Sequence, residues 1–196
     1  MDKHFVGKLP IEGLSWQLGA IIGRSGTGKT TIAQQLFPTE YIRGFTYGAE
    51  SILDDFPENL TTAQITEALC SVGFASPPDW LKPYAHLSQG EKMRVDVARA
   101  LLLAEKLAVF DEFTSVIDRD IAHIACMAIS KSVRKSGKQF IAVTCHYDVV
   151  EWLEPDWVLN TDDMSFDKKK EPTQRLSSAY SKLRPSSGMS LGSIII

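Results

Sequence analysis

Eight residues, Gly23-Arg24-Ser25-Gly26-Thr27-Gly28-Lys29-Thr30, constrain the architecture of this chain more than any other segment. They follow the apolar run 18–22 and precede a stretch with helical spacing, 30–37, that Pro38 stops. An apolar run closed by glycine reads as a buried strand, and the residues from Lys29 onward read as a helix. In that strand–loop–helix setting the glycines let backbone N–H groups turn inward around a polyphosphate. Lys29 reaches the β- and γ-phosphates, and the Thr30 hydroxyl is a ligand for Mg²⁺. The helix start, with Thr31 in its first turn, adds the positive end of its dipole. Gly23 through Thr31 are therefore the expected binding residues for a nucleoside triphosphate with Mg²⁺. A glycine-rich turn that matches by chance is the bland alternative, and the full pattern in context disfavours it.

Further along, strand and helix patterns alternate. Residues 16–22, 41–47 and 140–143 read as strands, and 107–110 is strand-like. Thr61 is placed to cap a helix in which Ile65, Ala68, Leu69 and Val72 recur before Gly73. Pro77 and Pro78 break regular structure ahead of Trp80. Asp118 is placed to cap a long helix with Ile121, Ile124, Ala125, Ala128 and Ile129 expected on its apolar face. The alternation predicts an α/β fold, a predominantly parallel sheet flanked by helices, with a helical subdomain over about 55–104.

Leu87-Ser88-Gln89-Gly90-Glu91 opens a helical pattern ending in Ala98-Arg99-Ala100-Leu101-Leu102. The strand-like Leu107-Ala108-Val109-Phe110 follows, then Asp111-Glu112, Ser115-Val116-Ile117-Asp118 and Thr144-Cys145-His146. This order resembles the ATP-binding cassette (ABC) ATPases, P-loop NTPases with a signature loop, a Walker B strand, a D-loop and a switch histidine. The resemblance runs from the phosphate loop to about residue 159. It implies a catalytic Glu112 that polarises the attacking water and a His146 that hydrogen-bonds the γ-phosphate. Asp111, at a strand end, suits the Mg²⁺ shell, because hard Mg²⁺ takes oxygen ligands and keeps several waters. It further implies head-to-tail pairing of two copies, in which Ser88 and the backbone at Gly90 grip the nucleotide held by the other copy, with Asp118 in the D-loop.

The chain departs from the family pattern at several places. Gln89 stands where glycine is usual, and Glu91 stands where transporters carry glutamine, an ending closer to chromosome-maintenance and repair ATPases. No glutamine stands clearly at the Q-loop; Asp54 or Asp55 is the candidate, Gln64 a poorer one. Phe5 is preferred over Trp16 for stacking on adenine. Phe113 replaces the proline common after the Walker B pair. With residues 72–83 and 145–157, it makes the chain look like soluble ABC-like ATPases of bacterial and phage origin, some of them joined to an acetyltransferase-like domain. That activity does not transfer to this chain.

With 196 residues, 44% of them hydrophobic, the chain has material for one well-buried core, and residues 1–160 are expected to form it. A formal net charge of −3 supplies no global basic field for nucleic acid. Cys70, Cys126 and Cys145 lack metal-type spacing and read as buried thiols of a reducing, cytoplasmic compartment. Cys145-His146 as a thiol nucleophile is the weaker reading of that pair. His4, His86 and His123 match no motif. No run is long and apolar enough to span a bilayer. Residues 161–196, with Lys168-Lys169-Lys170 and a serine-rich stretch before Ile194-Ile195-Ile196, read as a polar tail or linker. The expected function is a soluble ATPase that drives or regulates an unknown protein partner through an ATP-dependent homodimer. A transporter ATP-binding subunit and a non-hydrolysing nucleotide-gated module are the alternatives.

Overall fold

The structure, a computed structural model, describes residues 9–169. His4, Phe5, Lys170 and the terminal isoleucines lie outside them. Six strands form one sheet: β1 (Leu18–Ile22), β2 (Tyr41–Ile42), β3 (Leu107–Phe110), β4 (Gln139–Thr144), β5 (Trp157–Asn160) and β6 (Ser165–Lys168). Their order is β2-β3-β4-β1-β5-β6, and every pairing is parallel except β5 with β6. β1 is buried at all five positions, as a strand covered on both faces must be. Alternation assigns the faces of β4: Phe140 and Ala142 enter one apolar layer, Ile141 and Val143 the other.

Six helices cover the two faces: α1 (Lys29–Leu36), α2 (Thr62–Ser71), α3 (Pro77–Trp80), α4 (Gln89–Leu103), α5 (Arg119–Ser136) and α6 (Asp148–Leu153). Ala33 of α1 and Phe37 after it pack on the face of Ile141 and Val143. The opposite layer joins Leu69 of α2, Val95 and Val97 of α4, and Ile129 of α5 to Phe140. Each fully buried Ile, Leu or Val contributes about 1.5–3 kcal/mol of transfer free energy. α2 starts with a reciprocal capping box between Thr61 and Gln64, and the chain turns at Gly73 with φ of +84°.

Five expectations need correction. The strand expected over 41–47 is two residues long, because Gly44 (φ +109°) takes the chain away and Phe45 and Tyr47 pack instead under the Arg99 guanidinium. Trp16 precedes β1 and meets Trp157 edge-on, with ring centres 5.3 Å apart. The buried stripe of α5 is Ala122, Ala125, Cys126, Ile129 and Val133, while Ile124 is 61% exposed and Ile121 is 38% exposed. Small side chains let α5 approach the sheet, so its phase follows them rather than the larger isoleucines. Of the cysteines only Cys126 is buried, and burial pushes its thiol up to about 12; Cys70 is exposed. The sheet also runs past residue 160, since β6 pairs Lys168 with Trp157.

Candidate functional site

The in-register parallel pairing of β3, β4 and β1 brings three loops to one edge of the sheet. The loop 23–28 leaves β1, Asp111 and Glu112 leave β3, and His146 follows β4. β4 therefore separates the glycine-rich loop from the acidic pair. Gly28 caps α1 in the left-handed region (φ +90°) with no side-chain cap, which leaves the first-turn N–H groups of the helix without a side-chain acceptor. A Cβ at Gly26 or Gly28 would meet nothing within 4 Å, so the loop is an open backbone cradle. Lys29 is only 9% exposed, and its Nζ donates to the Arg24 carbonyl at 2.9 Å across the loop. Uncapped amides, a cation and the Thr30 hydroxyl form a donor set that fits a magnesium-bound polyphosphate.

The loop is braced from a segment that sequence reasoning assigned to the tail. Thr161 Oγ1 lies 3.0 Å from the Ile22 carbonyl and 2.6 Å from Thr27 Oγ1. Asp162 Oδ1 accepts the Arg24 N–H at 2.9 Å, and its other oxygen accepts from the Tyr147 hydroxyl. Those two bonds hold the Asp162 carboxyl below the usual carboxylate range, the tyrosine contributing most.

Asp111 is held on both oxygens: Tyr41 donates its hydroxyl to Oδ2 at 2.6 Å, and the Glu112 N–H donates to Oδ1 at 2.8 Å. Burial, followed by this bond to Asp111, pushes the Tyr41 phenol up to about 12, so it stays a donor. Glu112 (φ +51°) and Thr114 (φ +64°) both adopt left-handed backbone, uncommon without glycine. Phe113 between them is fully buried against Phe110 and Phe140, and its N–H bonds the Val143 carbonyl at 2.9 Å. The turn is thus anchored by its aromatic side chain while Glu112 stays exposed. A cleft of 480 Å³ runs from Asp111, Glu112 and Ser115 to Gln89 and Lys92 of α4.

Ser88 is exposed and caps α4 in a reciprocal box with Glu91, whose carboxylate accepts the Ser88 N–H at 2.8 Å and its hydroxyl at 2.7 Å. Glu91 therefore has a structural use where a glutamine is usual. Gly90 is buried, and a Cβ there would lie 2.8 Å from Ile121 Cγ2. Among the described residues, no hydrogen bond joins Ser88 or Gly90 to the loop 23–31 of the same chain. Asp118 caps α5 through the Asp120 N–H at 2.9 Å.

Two of the three Q-loop candidates, Asp55 and Gln64, are engaged elsewhere. Asp55 Oδ1 accepts the N–H groups of Gly48 and Ala49, and Gln64 sits in the α2 capping box. The segment 45–47 is instead fastened to α4. The rings of Tyr47 and Tyr84 stack at 3.7 Å, and both hydroxyls donate to Asp96, at 2.6 and 2.8 Å. Burial pushes the Asp96 carboxyl up, and the two phenols only partly offset it. Sequence reasoning missed Tyr41, Arg119, Thr161 and Asp162. Tyr41 and Asp111 lie 70 positions apart, and no local pattern joins them.

No protein-family model matches the chain. It is 33% identical over 100 residues to the methionine import ATP-binding protein MetN of Sodalis glossinidius, covering 50% of this chain and 28% of that protein. It is 27% identical over 176 aligned positions to the peptide transport system ATP-binding protein SapF of Salmonella typhimurium, covering 68% and 65%. The chain thus spans under two thirds of the length of both relatives. The dimeric post-hydrolysis structure of the ATP-binding cassette MJ0796, bound to ADP and Pi, superposes with a TM-score of 0.62 at 16% identity, covering 81% of this chain and 89% of that one. The fold is accordingly that of a P-loop NTPase cassette. No helix among the described residues is long and apolar enough to cross a membrane.

Proposed function

We propose that this chain, which belongs to the ABC ATPase family, binds Mg-ATP at residues 23–31 and hydrolyses it to ADP and phosphate. The observation that carries the reading is the convergence of the open glycine-rich loop, Asp111-Glu112 and His146 at the ends of three adjacent parallel strands. In this reading the backbone of Gly23, Arg24, Ser25, Gly26, Thr27 and Gly28 and the Lys29 ammonium hold the phosphates. Thr30 and Asp111 hold the metal, Thr31 lies beside them in the first turn of α1, and Tyr41 keeps the Asp111 carboxylate in place. Bound Mg²⁺ supplies charge neutralisation on the phosphate oxygens. Glu112, exposed on its strained turn, accepts a proton from the attacking water, and His146 donates to the γ-phosphate.

Ser88 makes no bond to its own loop and is exposed at the start of α4, which supports completion of the site by a second copy packed head to tail. In that arrangement Ser88 and the Gly90 backbone face the partner's nucleotide, and Asp118 lies at the junction. The described residues up to 160, including the helical layer 55–104, form the ATPase core, and β6 closes its sheet. The pairing would drive or regulate a protein partner in the cytoplasm. The names of the relatives support a second reading, a subunit that supplies ATP hydrolysis to a membrane transporter.

The test is Glu112→Gln. The amide keeps the shape and loses the charge, so Mg-ATP affinity by calorimetry is expected to hold while phosphate release falls by at least about 10²-fold. The slow variant should sediment as an ATP-bound dimer, and adding Ser88→Arg should return it to the monomer. A Glu112→Gln chain that binds ATP yet stays monomeric at saturation would overturn the composite site. Co-purification with a membrane permease would select the transporter reading.

A further inference from the structure

Arg119, the first residue of α5, touches the residue that ends the β4 strand-loop. Its Nε donates to Asp148 Oδ2 at 3.0 Å and its Nη2 to Asp148 Oδ1, a two-point grip that fixes the plane of the guanidinium. The remaining Nη1 lies 3.0 Å from His146 Nδ1. The guanidinium also sits 4.8 Å from the Trp152 ring, whose own neighbour is the His123 imidazole at 5.0 Å. Its direction is therefore set from two sides. Arginine carries only donors and does not lose its proton in a protein, so the imidazole atom facing it must offer a lone pair. Nδ1 accepts, and in the neutral ring the proton resides on Nε2. The Thr114 hydroxyl, 3.4 Å from the same Nδ1, comes from the buried turn that also carries Glu112.

We infer that Arg119 is a positioning residue for His146, holding the imidazole in the Nε2–H tautomer so that its free nitrogen is a hydrogen-bond donor. The opposite tautomer would offer a lone pair to a phosphate oxygen, and the two would repel. The inference rests on the proposed ATPase reading for its use, but the tautomer itself does not depend on turnover. The side chains of Arg119 and Asp148 are 37% and 40% exposed, so the ion pair adds little to stability. Its contribution is direction. It also links the start of α5, just past Asp118, to the histidine, so displacement of that helix start would release the ring.

Imidazole ¹⁵N spectra of the nucleotide-free protein test this, with His146 identified by the signals lost in His146→Gln. The native chain is expected to show Nδ1 unprotonated and Nε2 protonated. Arg119→Met should give a mixture of the two tautomers, and Asp148→Asn, which frees the guanidinium without removing it, a smaller change in the same direction. A protonated Nδ1 in the native chain, or one tautomer population in all three proteins, overturns the inference. In turnover, Arg119→Met should lower kcat about tenfold, the low end for loss of a partner that orients a functional histidine, with KM kept within about twofold. Arg119→Lys should recover part of the loss, and Arg119→Met added to His146→Gln should cost nothing more. Independent, multiplying losses would overturn it. A native chain that releases no phosphate would sink the ATPase reading alone, since the spectra would still decide the role of Arg119.

Discussion

Gly23→Ala puts the brace between the phosphate loop and the 161–162 turn to the test. A Cβ at Gly23 would lie 2.2 Å from Thr161 Oγ1 and 3.0 Å from Thr27 Oγ1, and the residue has φ of +147°. Thr161 must swing away, losing its bonds to the Ile22 carbonyl and to Thr27. Each such bond contributes about 1 kcal/mol net, and forcing alanine into that backbone region costs about 1–3 kcal/mol. The expected destabilisation is about 3–5 kcal/mol, a large share of a domain's total stability. Urea unfolding measures it, together with Thr161→Ala and the double variant. Thr161→Ala removes the obstructing hydroxyl, so the double variant should be more stable than the sum of the single losses predicts, by about 1–2 kcal/mol, leaving the backbone strain. Additive losses, or a Gly23→Ala protein within about 1 kcal/mol of the native chain, would refute the brace.

Lys29→Ala removes the loop cation, so Mg-ATP affinity measured by calorimetry should fall by at least about 100-fold in a protein that still unfolds cooperatively. At the far end of the sheet, Asp156 Oδ2 accepts the N–H groups of Gln17 and Leu18, at 2.8 and 3.0 Å, and Arg134 approaches the same carboxylate. Burial would push this carboxyl up, but those donors outweigh it and hold it below the usual range. A depressed acid stabilises above its unfolded value and loses that contribution as pH falls through the folded one. Asp156→Asn should therefore cost about 2 kcal/mol near pH 7 and less near pH 3, and an equal gap in urea midpoints at both pH values would contradict it.

The phosphate loop, the helix caps at Thr61 and Asp118, and the strand cores were legible because each rests on neighbours within a few residues. Buried parallel strands announce themselves as unbroken apolar runs, as 18–22 and 140–143 do. What escaped depends on distant partners. The phase of α5 is decided by which side chains fit against the sheet, and Ala122 and Cys126 carry no periodic signal stronger than Ile121 and Ile124. The shortness of β2 follows from the docking of Phe45 and Tyr47 on α4, more than 45 positions away. Thr161 and Asp162 were lost in a polar stretch whose composition resembles a tail, although their partners lie in the loop 23–27. The Arg119–His146 contact joins two motifs that are each readable alone and whose connection is not.

The two borders of the sheet have a consequence for how copies of this protein meet. Among the described residues, one border is β2, two residues long and followed after Arg43 by Gly44; the other is β6, whose Asp167 and Lys168 are exposed. A foreign strand needs a long, flat row of free N–H and C=O groups to add itself, and short or charged borders deny it that template. Growth by strand addition is thereby suppressed at the high concentrations where a weak pairing becomes visible. An oligomer that forms under those conditions is steered to the loop-bearing edge and the helical faces. Lengthening β2 through Gly44 would remove this protection and open the sheet to fibre-like accretion.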